Sequence, residues 1–121
     1  MKMRKVEINS VIGKELTARD RVKIKDTSAM VKLDEATQKG NLTITPDYFA
    51  VLTITTEEYG QREAYVVADK NGTFYYTGSA SFMSAFTEIY DEMNGEDYQI
   101  SVYRQPSKKR EGKDFITCTI V

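Results

Sequence analysis

Asn71-Gly72 lies between two β-rich runs, 62–69 (REAYVVAD) and 73–77 (TFYYT). Few dipeptides constrain a chain more, because the left-handed backbone of a tight hairpin turn favours Asn and Gly and little else. A two-residue turn centred there places Ala68 opposite Tyr75, Val67 opposite Tyr76 and Asp69 opposite Phe74. The face holding Tyr65, Val67, Phe74 and Tyr76 is the more apolar and is the expected inner face. Arg62, Lys70 and Tyr75 then lie outside on a smooth surface. The set Ala64, Val66 and Ala68 offers the alternative inner face, and the pattern alone leaves both open.

Other strand signals flank this hairpin. Leu42 and Ile44, then Ala50, Leu52 and Ile54, keep one parity through residue 56, which predicts a long strand with a bulge or edge position at Pro46. Residues 57–61, containing Tyr59-Gly60, break it. From Ser79 to Asn94, Phe82, Phe86, Ile89 and Met93, with Met83 and Tyr90, recur at helical spacing. Ser79 or Ser81 caps the start of this helix and Gly95 its end. Its Met and aromatic residues read as core, not as a cofactor site.

The last 24 residues up to Ile120 read DYQISVYRQPSKKREGKDFITCTI. Tyr98, Ile100 and Val102 alternate with Gln99, Ser101 and Tyr103, and Ile116, Cys118 and Ile120 alternate with Phe115, Thr117 and Thr119. A hairpin centred near Lys109 pairs Tyr103 with Phe115, Ser101 with Thr117 and Gln99 with Thr119 on the non-core face. Two rings then stand side by side in water beneath Lys108, Lys109, Arg110 and Lys113, opposed only by Glu111. Flat rings beside cations suit unpaired bases on a phosphate backbone, since every base has a face to stack and every phosphate a charge.

Composition narrows the chemistry. Histidine is absent, which removes the commonest general base and metal ligand. No phosphate-cradling, Ser-centred or Cys-plus-His motif occurs, and one cysteine excludes the usual zinc knuckle. Glu57-Glu58 and Asp91-Glu92 are sequence neighbours whose side chains diverge, so they read as solvated surface. The expectation is a non-enzyme with no metal and no cofactor. Cys118 is in phase with Ile116 and Ile120 and reads as a small buried hydrophobe. No apolar run approaches the roughly 20 residues of a membrane span, and the start lacks a signal-peptide pattern, so a cytoplasmic protein without membrane attachment is expected.

The net charge is −1, but it is polarised. Residues 1–40 carry ten basic and six acidic side chains, 57–97 two and nine, and 98–113 five and one. A local basic stripe can bind an anion whatever the total, because the field near the groove decides. Within 1–40, Thr17-Ala18-Arg19-Asp20 matches a capping box and predicts a short helix to about Ile24, although Val22 and Ile24 suit a strand equally. Residues 26–41 show no clear period.

At 121 residues the chain is expected to be a single domain: an irregular N-terminal extension, 1–40, packed on a domain spanning 41–121. The order strand, strand, strand, helix, strand, strand is that of the OB-fold, a five-stranded barrel with one helix between strands three and four. With those residues placed, the chain resembles small OB-fold single-stranded-DNA-binding proteins of phages of Gram-positive bacteria. The likeness covers about residues 42–121. It rests on Tyr59-Gly60, the Asn71-Gly72-Thr73-Phe74-Tyr75 hairpin, Thr77-Gly78-Ser79-Ala80-Ser81-Phe82, and Ser107 followed by Gly112-Lys113-Asp114-Phe115-Ile116-Thr117-Cys118.

The resemblance implies host-cytoplasmic binding of single-stranded DNA in phage replication or recombination, with Tyr59 and Tyr75 as stacking residues. It also implies replication or recombination proteins as partners and allows an oligomer. The sequence finishes TCTIV inside a predicted strand, so partner recruitment through an acidic tip, as in cellular single-strand binders, is not expected. Together with the hairpin, the candidate set is Tyr59, Arg62, Tyr75, Tyr103, Arg104, Lys108, Lys109, Arg110, Lys113 and Phe115. Arg62 and Arg104 enter only as nearby surface cations. The other functional readings are an OB-type protein-interaction module anchored on Tyr103 and Phe115, and single-stranded RNA binding through the 2′-hydroxyl.

Overall fold

The computed structural model describes residues 4–109 and 111–121. In chain order the elements are β1 (Arg4–Ile12), α1 (Ala18–Lys25), a 3-10 turn (Thr27–Ala29), β2 (Val31–Lys32), α2 (Leu33–Ala36), β3 (Leu42–Ile44), β4 (Pro46–Thr56), β5 (Gly60–Asp69), β6 (Phe74–Thr77), α3 (Ala80–Met93), β7 (Ile100–Pro106) and β8 (Asp114–Ile120). The protein is mainly β, and α3 is the one long helix among the described residues. A five-stranded sheet has the order β1-β4-β5-β6-β2, and a three-stranded sheet the order β3-β7-β8.

β3 and β4 are two halves of one bent strand, separated only by Thr45. The bend is pinned from the side: the Asp69 carboxylate accepts from the Thr45 backbone N–H at 2.9 Å, and the Thr45 carbonyl accepts from Lys70 N–H at 2.9 Å. Register also shifts between Pro46 and Tyr48, where proline, without an N–H, cannot donate to the ladder. The bent strand thereby belongs to both sheets, pairing with β7 through Leu42–Ile44 and with β5 through Pro46–Thr56.

Among the described residues the strands do not close into the barrel expected from the element order. The free edge of β6 pairs in parallel with β2, Val31 to Tyr75 and Lys32 to Tyr76. β8 pairs only with β7 and lies along α3, where Ser81 Oγ donates to the Ile116 carbonyl at 2.9 Å. With β2 on its edge, β6 has no row of free donors and acceptors to offer β8.

The N-terminal region is likewise not irregular. β1 pairs antiparallel with β4, with a register shift between Ile8 and Ser10. This bulge lets Val6, Ile8 and Val11 face one side while Ile12 faces the other. α1 starts as its capping box predicts: Thr17 Oγ1 accepts from Asp20 N–H at 3.2 Å, and the Asp20 carboxylate accepts from Thr17 N–H at 3.1 Å. That second bond lowers the Asp20 carboxyl below its usual range.

The five-stranded sheet is buried on both faces. On one, Phe49, Val67 and Tyr75 pack with Phe82, Met83 and Phe86 of α3 and with Ile100, Val102, Ile116 and Cys118 of the smaller sheet. The Phe49 and Phe86 rings meet edge-on with centroids 5.2 Å apart, a favoured aromatic geometry. On the other face Ala50, Leu52, Ile54, Ala64, Val66 and Ala68 are covered by Ile24 of α1 and by Met30. α3 is capped by Ser79, whose Oγ accepts from Phe82 N–H at 3.1 Å, and ends at Asn94 in the left-handed region with φ 44°.

Candidate functional site

The β5–β6 hairpin differs in register from expectation by one residue. Ala68 pairs with Phe74, Val67 with Tyr75, Val66 with Tyr76 and Tyr65 with Thr77. The turn is longer than two residues: Gly72 N–H donates to the Asp69 carbonyl at 2.9 Å, and Asp69 N–H to the Thr73 carbonyl at 2.8 Å. Gly72, at φ 95°, supplies the left-handed residue of a three-residue loop with a bulge. The Asp69 carboxylate favours this turn by accepting from Asn71 N–H at 2.8 Å.

A one-residue slip exchanges the faces of β6 relative to β5, while Tyr65 and Val67 keep the inner face expected of them. Tyr75 is 8% exposed and packs in the α3-side core, so its expected place on an outer surface is corrected. Phe74 and Tyr76 turn to the opposite side and pack against the cluster covered by Ile24 and Met30. Of the outer face read from the sequence, Ala64, Val66 and Ala68 lie beneath Ile24 and Met30, whereas Arg62 and Lys70 are exposed.

The β7–β8 hairpin is shifted by two residues from its expected register. Gln105 pairs with Phe115, Tyr103 with Thr117 and Ser101 with Thr119. The loop closes nearer the strands than expected, through Ser107 N–H to the Lys113 carbonyl at 2.8 Å, with Gly112 at φ 76°. An even shift preserves the faces. Tyr103 and Phe115 remain on one side, as diagonal neighbours instead of a directly opposed pair.

That side belongs to neither core cluster. Ile100, Val102, Ile116 and Cys118 point inward and are buried, whereas Thr43, Ser101, Tyr103, Gln105, Phe115, Thr117 and Thr119 form the outer face. Tyr103 and Phe115 are half-buried, which leaves ring surface accessible among hydroxyl and amide groups. Phe115 also borders a groove of about 370 Å³ with Ser81, Gln105, Pro106, Lys108 and Lys109. Lys108, Lys109 and Lys113 are exposed. Arg110 lies outside the described residues.

The other candidates are distributed elsewhere. Tyr59 is 70% exposed at the tip of the β4–β5 hairpin, and Arg62 is exposed on β5 opposite Ile54. The register sets that tip and the 107–113 loop at opposite ends of the bent strand 42–56. Arg104 points to the core side of β7 and is engaged internally: Nε donates to Thr37 Oγ1 at 3.1 Å and Nη2 to the Asp34 carbonyl at 2.6 Å. Its expected place among the free cations is therefore corrected. It ties α2 to the smaller sheet.

A second cavity, of about 240 Å³, is bordered by Asp47, Lys70, Glu96, Asp97 and Tyr98. Lys70 Nζ meets Asp97 at 2.6 Å, which raises the lysine and lowers the carboxyl relative to their usual ranges through that hydrogen bond and charge. Its other carboxylates make this cavity a poor receptor for phosphate. Among the described residues no group of three or more His, Cys, Asp or Glu side chains is arranged to hold a metal, and no helix is long and apolar enough to cross a membrane. Cys118 is buried, and desolvation pushes its thiol up to about 12.

Sequence reasoning placed Thr117 and Thr119 on this face but missed the outward Thr43, which β3 brings beside Ser101. The signal for the first two was the alternation itself, which runs Thr-Cys-Thr through β8. No protein-family model, curated protein or solved structure matches the chain.

Proposed function

We propose that this protein is a non-enzymatic, sequence-tolerant binder of single-stranded DNA built on an OB-like plan, with the outer face of β3-β7-β8 and the 107–113 loop as its binding surface. The observation that carries the reading is the pairing of accessible Tyr103 and Phe115 rings, outside both cores, with the exposed Lys108 and Lys109 at the Phe115 groove. Rings offer stacking surface to any base and the lysines offer charge to the phosphates between them, a combination that needs no base-specific donor pattern. Ser101, Gln105, Thr117 and Thr119 add hydrogen-bonding capacity without excluding a particular base.

The OB-like plan is supported by the element order and by the bent strand shared between two sheets. Tyr59 is a more distant contact for a strand that runs the length of the bent strand. A role in phage replication or recombination follows from the resemblance of 42–121 to phage single-strand binders.

Titration with oligo(dT), followed by tyrosine fluorescence, tests the reading against duplex DNA and RNA of matched length. Tyr103→Ala and Phe115→Ala are each expected to weaken oligo(dT) binding by about 1–3 kcal/mol, roughly 5- to 150-fold. Folded variants with wild-type affinity would overturn this location of the site.

A further inference from the structure

Two exposed helical surfaces of this molecule are complementary to each other. α1 presents Arg19 and Lys23 one helical turn apart, with Val22 70% exposed beside them. α3 presents Glu88 and Glu92, also one turn apart, beside Ile89, Met93 and the 45% exposed Ile120 of β8. These last residues line a groove of about 300 Å³. Among the described residues neither Arg19, Lys23, Glu88 nor Glu92 is in an ion pair.

The spacing on both sides is i, i+4, or roughly 5–6 Å between Cβ atoms. Two cations flanking an apolar knob on one helix therefore match two carboxylates flanking an apolar groove on the other. Within one molecule the two cannot meet. α1 covers the Ala64, Val66 and Ala68 face of the five-stranded sheet, whereas α3 covers the Val67 and Tyr75 face. They are on opposite sides of the same layer.

We propose that the α3–β8 groove receives α1 of a second copy of this chain, with Val22 against Ile89, Met93 and Ile120, and with Arg19 and Lys23 paired to Glu88 and Glu92. Because donor and receptor surfaces differ and lie on opposite faces, the contact is heterologous, and repetition builds an open row of molecules instead of a closed dimer. The patch is a single helical contact, well below the area of stable complexes, so association is weak and reversible. Exposed ion pairs make it stronger at low salt.

Sedimentation of the full chain without nucleic acid tests this, so its outcome is independent of the DNA-binding reading. The weight-average mass is expected to climb above the 13.8 kDa monomer as concentration rises, and to fall back when salt is added. R19E/K23E and E88K/E92K should each lower association by about tenfold, since two favourable pairs become two like-charge pairs. Circular dichroism checks that each variant is folded. An equimolar mixture of the two variants should associate again, because each then supplies the charge that the other lacks. A wild type monomeric at millimolar concentration, variants that associate as the wild type does, or a mixture that stays monomeric would each overturn the proposal.

Discussion

The β5–β6 and β7–β8 hairpins are built from similar material, and the molecule treats them in opposite ways. Each carries aromatic residues on alternating strands and closes on a loop with a left-handed glycine. β5–β6 is covered on both faces, by α3 on one and by Ile24 and Met30 on the other, so that Tyr75, Phe74 and Tyr76 all serve packing. β7–β8 is covered on one face only, which leaves Tyr103 and Phe115 at the surface. Aromatic content thus says little about binding until the layer above it is known. The decisive element is an N-terminal segment contributed from far away in the chain.

The largest expected effect tests that contrast directly. Tyr75→Ala should destabilise the fold by about 3 kcal/mol, the scale of emptying a buried aromatic site. Tyr103→Ala should cost no more than about 1 kcal/mol, since its ring is half-buried and outside both core clusters. Urea unfolding of both variants reads the difference; equal losses would erase the distinction between the hairpins.

Charge at the β7–β8 loop gives a smaller effect. Lys108→Glu with Lys109→Glu should weaken oligo(dT) binding and lower the slope of log K against log salt by about 0.7 for each phosphate of a single strand that is no longer neutralised. Arg62→Glu, on the hairpin that is covered, should leave that slope close to its wild-type value. A slope unchanged in the first variant would remove phosphate binding from the 107–113 loop.

The smallest expected effect reads the buried side of β7–β8. Burial pushes the Cys118 thiol and the Tyr98 phenol up to about 12. In the unfolded chain such groups ionise near about 8.5 and 10. Both keep their protons longer when folded, so their contribution to stability is complete below about pH 8.5 and is lost as pH rises towards 12. Melting temperature should fall over that range, and Cys118→Ala should flatten its first part.

Much of the local structure is legible in the residues. Ser79 opens a helix because a hydroxyl cap satisfies terminal backbone groups, and α3 spans Ala80–Met93 with its left-handed C-terminal cap at Asn94, one residue before the expected Gly95. Pro46 marks the irregularity in the long strand, and Thr17 opens α1. The inward set of β7 and β8 follows from alternation alone. Hairpin register is less legible because the loop length decides it, and Asp69 converts an Asn-Gly turn of two residues into a loop of three. β1 is hard to read although Val6 and Ile8 alternate, because the bulge before Ser10 interrupts the period.

The sequence by itself determined which segments are strands and helices over most of the chain, that catalysis by histidine has no place here, and that cations and rings coincide near the last hairpin. These follow from short-range properties, namely side-chain period, backbone preference and charge. The tertiary structure decided which aromatics are accessible, that Arg104 is tied to α2, and that β2 takes the edge at which a barrel would close. Those outcomes depend on residues far apart in the chain competing for the same face or the same edge. Two apolar faces of equal merit are separated only by what arrives to cover them.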